Sequence, residues 1–164
     1  MSPQFPHMPL PQGLTYEFLG TFARSEYALK CAGFARGNAS TVEANWDEFS
    51  KAIDWHFRRV SDTELKDAVN FLLTDPPRKQ ILKEGSVIWK DSPPAKGLLK
   101  TQKTLLMVRR IRNNLFHGAK IWSPEYRNID RDRDIRLVQA GLTVLKRCIL
   151  INQKVRVSFE HGAF

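Results

Sequence analysis

Leu105-Leu106-Met107-Val108-Arg109-Arg110-Ile111-Arg112-Asn113-Asn114-Leu115-Phe116-His117, followed by Gly118, is the stretch that decides the fold. Leu105, Val108, Ile111 and Leu115 recur every three or four positions, the spacing of one face of an α-helix. Leu98 and Leu99 carry the pattern backwards, so the spacing predicts a helix over about 96–117. Gly118 suits its end, because glycine readily adopts the left-handed backbone that closes helices. The polar side chains fall along one edge. Asn113 and His117 are four apart and share a face, and Arg109 and Arg110 lie four and three residues before Asn113 and flank it. Arg112 and His117 are five apart, about 140° around an ideal helix.

Working outward, similar periodicities predict four more helices. Phe18, Leu19, Phe22, Leu29, Ala32 and Phe34 mark a helix over about 14–35, with Gly37-Asn38 as its stop. Trp46, Phe49, Ile53 and Phe57 mark one over about 41–59, with Thr41 as N-cap. Leu65, Val69, Leu72 and Leu73 mark one over about 62–74, capped by Asp62 or Ser61 and ended by Asp75-Pro76-Pro77. Ile135, Val138, Leu142, Leu145 and Ile149 mark the last, over about 130–153. Between the third and fourth helices, residues 76–95 read as a long connection with a short strand at Ser86–Trp89. A loop runs from Trp122 to about Ile129, with Ser123-Pro124 as a turn. Val155-Arg156-Val157 alternates, as a tail strand or a frayed end does. The fold class is therefore all-α, a bundle of four to five helices. Residues 1–13, with prolines at 6, 9 and 11, form a flexible proline-rich arm; 14–154 form the helical domain; 155–164 form the tail.

The chain has 164 residues, enough for one domain with its own core. Its 42% hydrophobic and 26% charged content argues against a disordered chain. No apolar run approaches the roughly 20 residues that span a bilayer, and the N-terminus lacks the basic region of a secretory signal. Cys31 and Cys148 make no disulfide framework and read as buried thiols in a reducing, cytoplasmic compartment. Charge is uneven. Residues 1–75 carry 7 basic and 10 acidic side chains, a net of −3, and residues 76–164 carry 19 and 7, a net of +12. A basic half attracts phosphates, and nucleic acid is the natural partner; the same surplus also serves as a solubilising surface.

The four histidines are scattered, without HExxH or paired CxxC, so no metal or other cofactor is expected. What remains is the polar edge of the 96–117 helix. Histidine exchanges protons near neutrality, arginine grips a phosphate through two hydrogen bonds, and asparagine orients either without adding charge. Those are the groups that metal-free RNA cleavage needs, since the 2′-hydroxyl supplies the nucleophile. Cations near a helix C-terminus also suit the helix dipole, a purely structural use of the same residues.

Arg112-Asn113, then Asn114-Leu115-Phe116, then His117, resembles the signature of the HEPN superfamily (higher eukaryotes and prokaryotes nucleotide-binding domains): an arginine, usually followed by a polar residue, with four to six residues between the arginine and a histidine. The early Phe22-Ala23-Arg24-Ser25-Glu26-Tyr27-Ala28-Leu29-Lys30 is similar to the first helix of some stand-alone members. The likeness in motif covers about seven residues; in architecture it covers most of the chain. The resemblance implies a metal-independent endoribonuclease of toxin–antitoxin or antiviral-defence type, working as a homodimer whose two motifs form one composite site. It implies His117 as acid and base, Arg112 as the phosphate ligand and Asn113 as its orienting group. Arg110, six residues clear of His117, is the alternative phosphate ligand. Arg109, Arg110, Asn114 and Lys120 are candidate substrate-binding side chains. Glu26 is a supporting carboxylate that pairs with an arginine of the motif helix. RNA is the expected partner, with an antitoxin or regulatory protein possible and no membrane. Ala119 stands where adenylylated members carry a tyrosine, so that mode of neutralisation is not implied.

The alternative within the same resemblance is a non-catalytic RNA- or protein-binding module. A helical DNA-binding protein is a third reading, without a clear helix-turn-helix pattern to support it. Elsewhere, His56 beside Trp55 reads as a packed or boundary residue. Arg127, Arg131, Arg133 and Arg136 alternate with Asp130, Asp132 and Asp134, a run expected to pair internally. Arg78, Lys79, Lys83 and Lys90 form a basic loop suited to an RNA backbone, and Trp89 and Trp122 are aromatic surfaces suited to bases or to packing.

Overall fold

The computed structural model describes residues 10–117 and 130–162. These residues form six helices and two antiparallel hairpins. Helix α1 (Gln12–Cys31) starts two residues earlier than its periodicity suggested, directly after Pro11. Most of the expected arm lies outside the described residues. Its last part is not loose, because Leu10 is buried in the hydrophobic core.

Helix α1 also stops sooner than expected. Gly33 takes a φ of +93°, the Phe34 N–H donates to the Leu29 carbonyl at 2.9 Å, and the Gly33 N–H donates to Lys30 at 3.4 Å. This is the paired closure in which the residue after the glycine folds its apolar side chain back onto the helix. Phe34 turns in against the core, edge-on to Phe49 at 5.4 Å. That returning Phe34 extends the apolar stripe in sequence without extending the helix.

Gly37-Asn38 is instead the turn of a hairpin, β1 (Ala35–Gly37) with β2 (Val42–Ala44). A Cβ on Gly37 would lie 2.0 Å from the Thr41 carbonyl oxygen, so no larger residue fits the turn. Helix α2 (Trp46–Phe57) therefore begins after residue 41, and its N-cap is Asn45, whose Oδ1 accepts the Glu48 N–H at 3.2 Å. Helix α3 (Thr63–Thr74) is capped by Asp62, which accepts the Leu65 N–H at 3.1 Å, and it ends at Asp75 as expected.

The 76–95 segment folds into a second hairpin, β3 (Lys79–Lys83) with β4 (Ser86–Lys90). The expected strand at 86–89 is there; its partner strand was not foreseen. Glu84 and Gly85, at φ 49° and 78°, make the two-residue turn whose left-handed conformations match the strand twist.

Helix α4 (Lys100–Phe116) starts later than predicted, leaving Leu98 and Leu99 outside it. Helix α5 (Arg131–Ile151) packs against α1, α3 and α4. At Gly141 an added Cβ would sit 3.0 Å from the Phe18 ring and 3.2 Å from Ile111, so α1 and α4 approach α5 at its backbone. Phe18, Phe22, Trp46, Phe49, Ile53, Leu72, Met107, Val108, Leu145 and Val144 fill the core.

The tail is neither strand nor frayed. Asn152 breaks the helix, and its side chain accepts the Val155 N–H at 3.1 Å, capping α6 (Gln153–His161). Val155 is fully buried, and Arg24 of α1 donates to the Phe159 and Glu160 carbonyls at 2.5 and 3.0 Å. The alternation at 155–157 is what a short helix gives when only one turn of it is buried. The bundle is thus mainly α, with two hairpins, and no described helix is long and apolar enough to cross a membrane.

Candidate functional site

Helix α4 is anchored at its start by a buried carboxylate. Asp54 of α2 accepts the Thr101 hydroxyl at 2.8 Å and the Thr101 N–H at 3.5 Å, so it serves as an N-cap supplied from another helix. Arg58 neutralises it at 2.8 Å. The Gln102 side chain accepts the Leu99 N–H at 3.1 Å.

The other end of α4 is polar and open. Arg109, Arg110, Asn113, Asn114 and His117 line one groove of about 300 Å³, with Lys79 and Gln80 of β3 on its far wall. Residues expected from helical spacing to share a face do share it. His117 is the C-cap of α4, its N–H donating to Asn113 at 3.0 Å, and its ring lies edge-on to Phe116 at 5.7 Å. His117 and Asn113 are both exposed. Arg109 has no hydrogen bond or ion pair with a described residue, so its cation is available to an anion in the groove.

The remaining motif residues are used differently. One nitrogen of Arg110 donates to the Pro77 carbonyl at 3.0 Å and to the Ser92 carbonyl at 2.5 Å. Burial lowers the Arg110 pKa from the usual arginine value. Asn114 donates to the Arg78 carbonyl at 2.9 Å. These two side chains hold both legs of the β3–β4 hairpin to α4, so Arg110 is a clamp before it is a phosphate ligand. Arg112 lies off the groove. Its guanidinium sits over Phe116 at 4.8 Å and Phe22 at 5.6 Å, and it donates to the Asn113 side chain at 3.0 Å.

Glu26 does not pair with an arginine of α4. It accepts the Trp46 indole N–H at 3.2 Å, beneath a ring stacked on Phe22 at 5.2 Å. Lys120, Ala119, Trp122 and Arg127 lie outside the described residues. Within the acidic–basic run at the start of α5, Arg133 and Asp130 pair outward, with Asp75 and Arg78, while Asp130 and Asp134 also act on Arg133 within the run. Arg133 grips Asp75 with two nitrogens at 2.8 Å and also donates to the Pro76 carbonyl. The Arg133 hydrogen bond holds the Asp75 carboxyl below its ordinary pKa, and Asp75 raises that of Arg133. Arg78 pairs with Asp91 at 3.1 Å and Asp130 at 3.3 Å, which removes it from the free basic set. Arg136 lies over the Phe71 ring at 4.2 Å.

His56 is exposed, with its ring against Trp55. Cys148 is buried, and burial pushes its thiol pKa up; Cys31, at the last residue of α1, is exposed, contrary to expectation. Gln80 is the groove residue that sequence reading missed. The signal was available: Glu84-Gly85 sits centrally between two five-residue runs, the pattern of a two-residue hairpin. Among the described residues no group of three His, Cys, Asp or Glu side chains is arranged to hold a metal.

The groove can bind an anion through Arg109 and Lys79 and can exchange a proton through His117. No protein-family model, no curated protein and no solved structure matches this chain. The fold and groove define its class, a mainly helical protein with an open cationic groove at one helix terminus.

Proposed function

We propose that this protein is a metal-independent endoribonuclease of the HEPN type, a defence or toxin effector that acts as a homodimer. The observation that carries the reading is the groove itself: His117, Asn113 and Arg109, which pairs with no described residue, converge there, at the end of α4. His117 of one protomer takes the proton of the substrate 2′-hydroxyl. The 2′-oxygen forms a bond to the adjacent phosphorus, the bond from phosphorus to the 5′-oxygen breaks, and the second His117 protonates that oxygen. The products carry a 2′,3′-cyclic phosphate and a 5′-hydroxyl. Arg109 holds the scissile phosphate within the protomer, and Asn113 orients it. Arg112, about 140° around the helix from His117, serves the partner's groove, as two motifs meeting at one interface require.

The test incubates wild type and His117→Ala with RNA in EDTA and identifies the product ends. Wild type cuts, and the variant loses about 10²- to 10⁴-fold in rate, the range for a displaced acid–base group. RNA that is 2′-deoxy at the cut survives. Cleavage that stops in EDTA, or a fully active His117→Ala, overturns the reading. The second reading, a binding module without catalysis, draws on exposed apolar side chains near the groove: Phe116 is 65% and Leu82 73% exposed. A folded dimer that binds RNA tightly and leaves it uncut would favour it.

A further inference from the structure

The β3–β4 hairpin is a two-faced ribbon. Lys79 is paired directly with Lys90, Ile81 with Ile88 and Lys83 with Ser86. Side chains of a strand alternate between faces, so Lys79, Lys83 and Lys90 all stand on one face. Gln80, Leu82, Val87 and Trp89 stand on the other. None of the three lysines is ion-paired with a described residue. Of the acidic groups nearest in sequence, Glu84 at the turn forms no ion pair with a described residue and Asp91 is engaged by Arg78.

Like charges placed opposite each other in a ladder are destabilising. An isolated two-stranded ribbon has little stability to lose. Lys79 against Lys90 is therefore a costly arrangement unless an anion lies across the pair. The ribbon meets the groove at the start of β3, where Lys79 of the lysine face lines it beside Arg109, as does Gln80 of the other face. Lys79 and Lys83 are about 13 Å apart along the strand, at the usual rise per residue. The face thus presents cations over a length suited to an extended polyanion and unsuited to a single small phosphate.

The ribbon is also held to point where it does. Arg110 and Asn114 fix its two legs to α4, and Arg78 and Arg133 fix the first leg to the start of α5. These contacts share α4 with the groove, so ribbon and groove keep one relative orientation.

We propose that the β3–β4 ribbon is an RNA-backbone arm: Lys79, Lys83 and Lys90 hold phosphates of the strand whose scissile bond lies in the Arg109–His117 groove. This rests on the ribonuclease reading and adds where the rest of the substrate lies.

The experiment measures binding of a fluorescent 2′-O-methyl RNA oligonucleotide, which cannot undergo 2′-oxygen attack, by anisotropy over a range of salt. Three full-length proteins are compared: wild type; a variant carrying Lys79→Gln, Lys83→Gln and Lys90→Gln; and one carrying Lys30→Gln, Lys51→Gln and Lys66→Gln. The third removes the same charge from α1, α2 and α3. Each lysine that neutralises a phosphate on a single strand contributes about 0.7 to the slope of log affinity against log salt. The ribbon variant is expected to bind at least tenfold more weakly, with a slope shallower by about 2, while the control variant tracks wild type. Equal losses in both variants overturn the proposal, because the effect is then net charge. An unchanged ribbon variant overturns it while leaving the ribonuclease reading intact. Failure of wild type to bind any RNA overturns both. Thermal melts of all three confirm that only surface charge was changed.

Discussion

The two hairpins are both antiparallel pairs, with three-residue strands in β1–β2 and five-residue strands in β3–β4, and they are used in opposite ways. β1–β2 is spliced into the core. Phe34 precedes it and Trp46 follows it, Ala44 is buried, and the Asn45 N–H closes the ladder onto the Phe34 carbonyl at 2.8 Å. β3–β4 has no buried residue, and its apolar pair Leu82 and Val87 is 73% and 67% exposed. It stands on polar contacts at its legs. The first hairpin is anchored by burial at its base, through Phe34, Ala44 and Trp46, while its other strand residues are exposed and Arg36 pairs with Glu43 across it at 2.7 Å. The second is stabilised by directional hydrogen bonds and ion pairs to α4 and α5, which fix orientation where no core can. A segment that must reach beyond the surface beside a site is served by the second design.

That contrast can be broken first at Arg110. Arg110→Ala removes the shared donor of the Pro77 and Ser92 carbonyls, at a cost of about 2–3 kcal/mol for hydrogen bonds to a charged group. The effect should be local. Amide hydrogen exchange should accelerate across residues 79–90 and stay unchanged in α5; slow exchange throughout the ribbon would show that Arg110 is not its clamp.

A smaller and more global effect is expected at the first hairpin. Gly37→Ala sets a methyl group against the Thr41 carbonyl oxygen and should cost about 2 kcal/mol, within the range for strained backbone. Because β1–β2 is continuous with the core, the loss should appear as a lower midpoint of cooperative unfolding. Faster exchange confined to residues 35–44, with an unchanged midpoint, would contradict the contrast.

The smallest effect concerns acid. The folded Asp75 carboxyl titrates below its ordinary value, near 3.9 in the unfolded chain. Its contribution is therefore complete above about pH 4 and fades as pH falls through the depressed folded value. The Asp75 side chain is 46% exposed, which limits the contribution to below about 1 kcal/mol. Asp75→Asn should be less stable than wild type at pH 6 in urea unfolding, and the gap should narrow towards pH 3. A gap that widens in acid would rule out the Arg133 pairing as its source.

Much of the helical frame was legible from spacing alone. Trp46, Phe49, Ile53 and Phe57 are buried as their period demands, and so are Leu105, Val108, Ile111 and Leu115. Proline ended α3 where expected, and Asp62 capped it. The misreadings share a cause. Phe34 and Val155 each fit a periodic pattern and Thr41 read as an N-cap, but a helix ends or begins where backbone groups find partners, not where apolarity stops. Gly33, Asn45 and Asn152 carried that information in single residues. For the site, helical geometry sufficed to bring Arg109, Asn113 and His117 to one face. It gave no means of knowing that Arg110 and Asn114, on the same face, are consumed by carbonyls 18 to 36 residues away in sequence.

The sequence by itself determined the helical class and the polar edge of α4, because both follow from periodicity within one segment. Tertiary structure alone decided which cations on that edge are spent and which are free. Hydrogen bonds to Pro77, Ser92 and Arg78 depend on where a distant hairpin meets α4, and ion pairs at Asp75 and Asp130 depend on where α5 begins. Charge is a property of a residue; its availability is a property of its neighbours, and those are set by the packing of the whole chain.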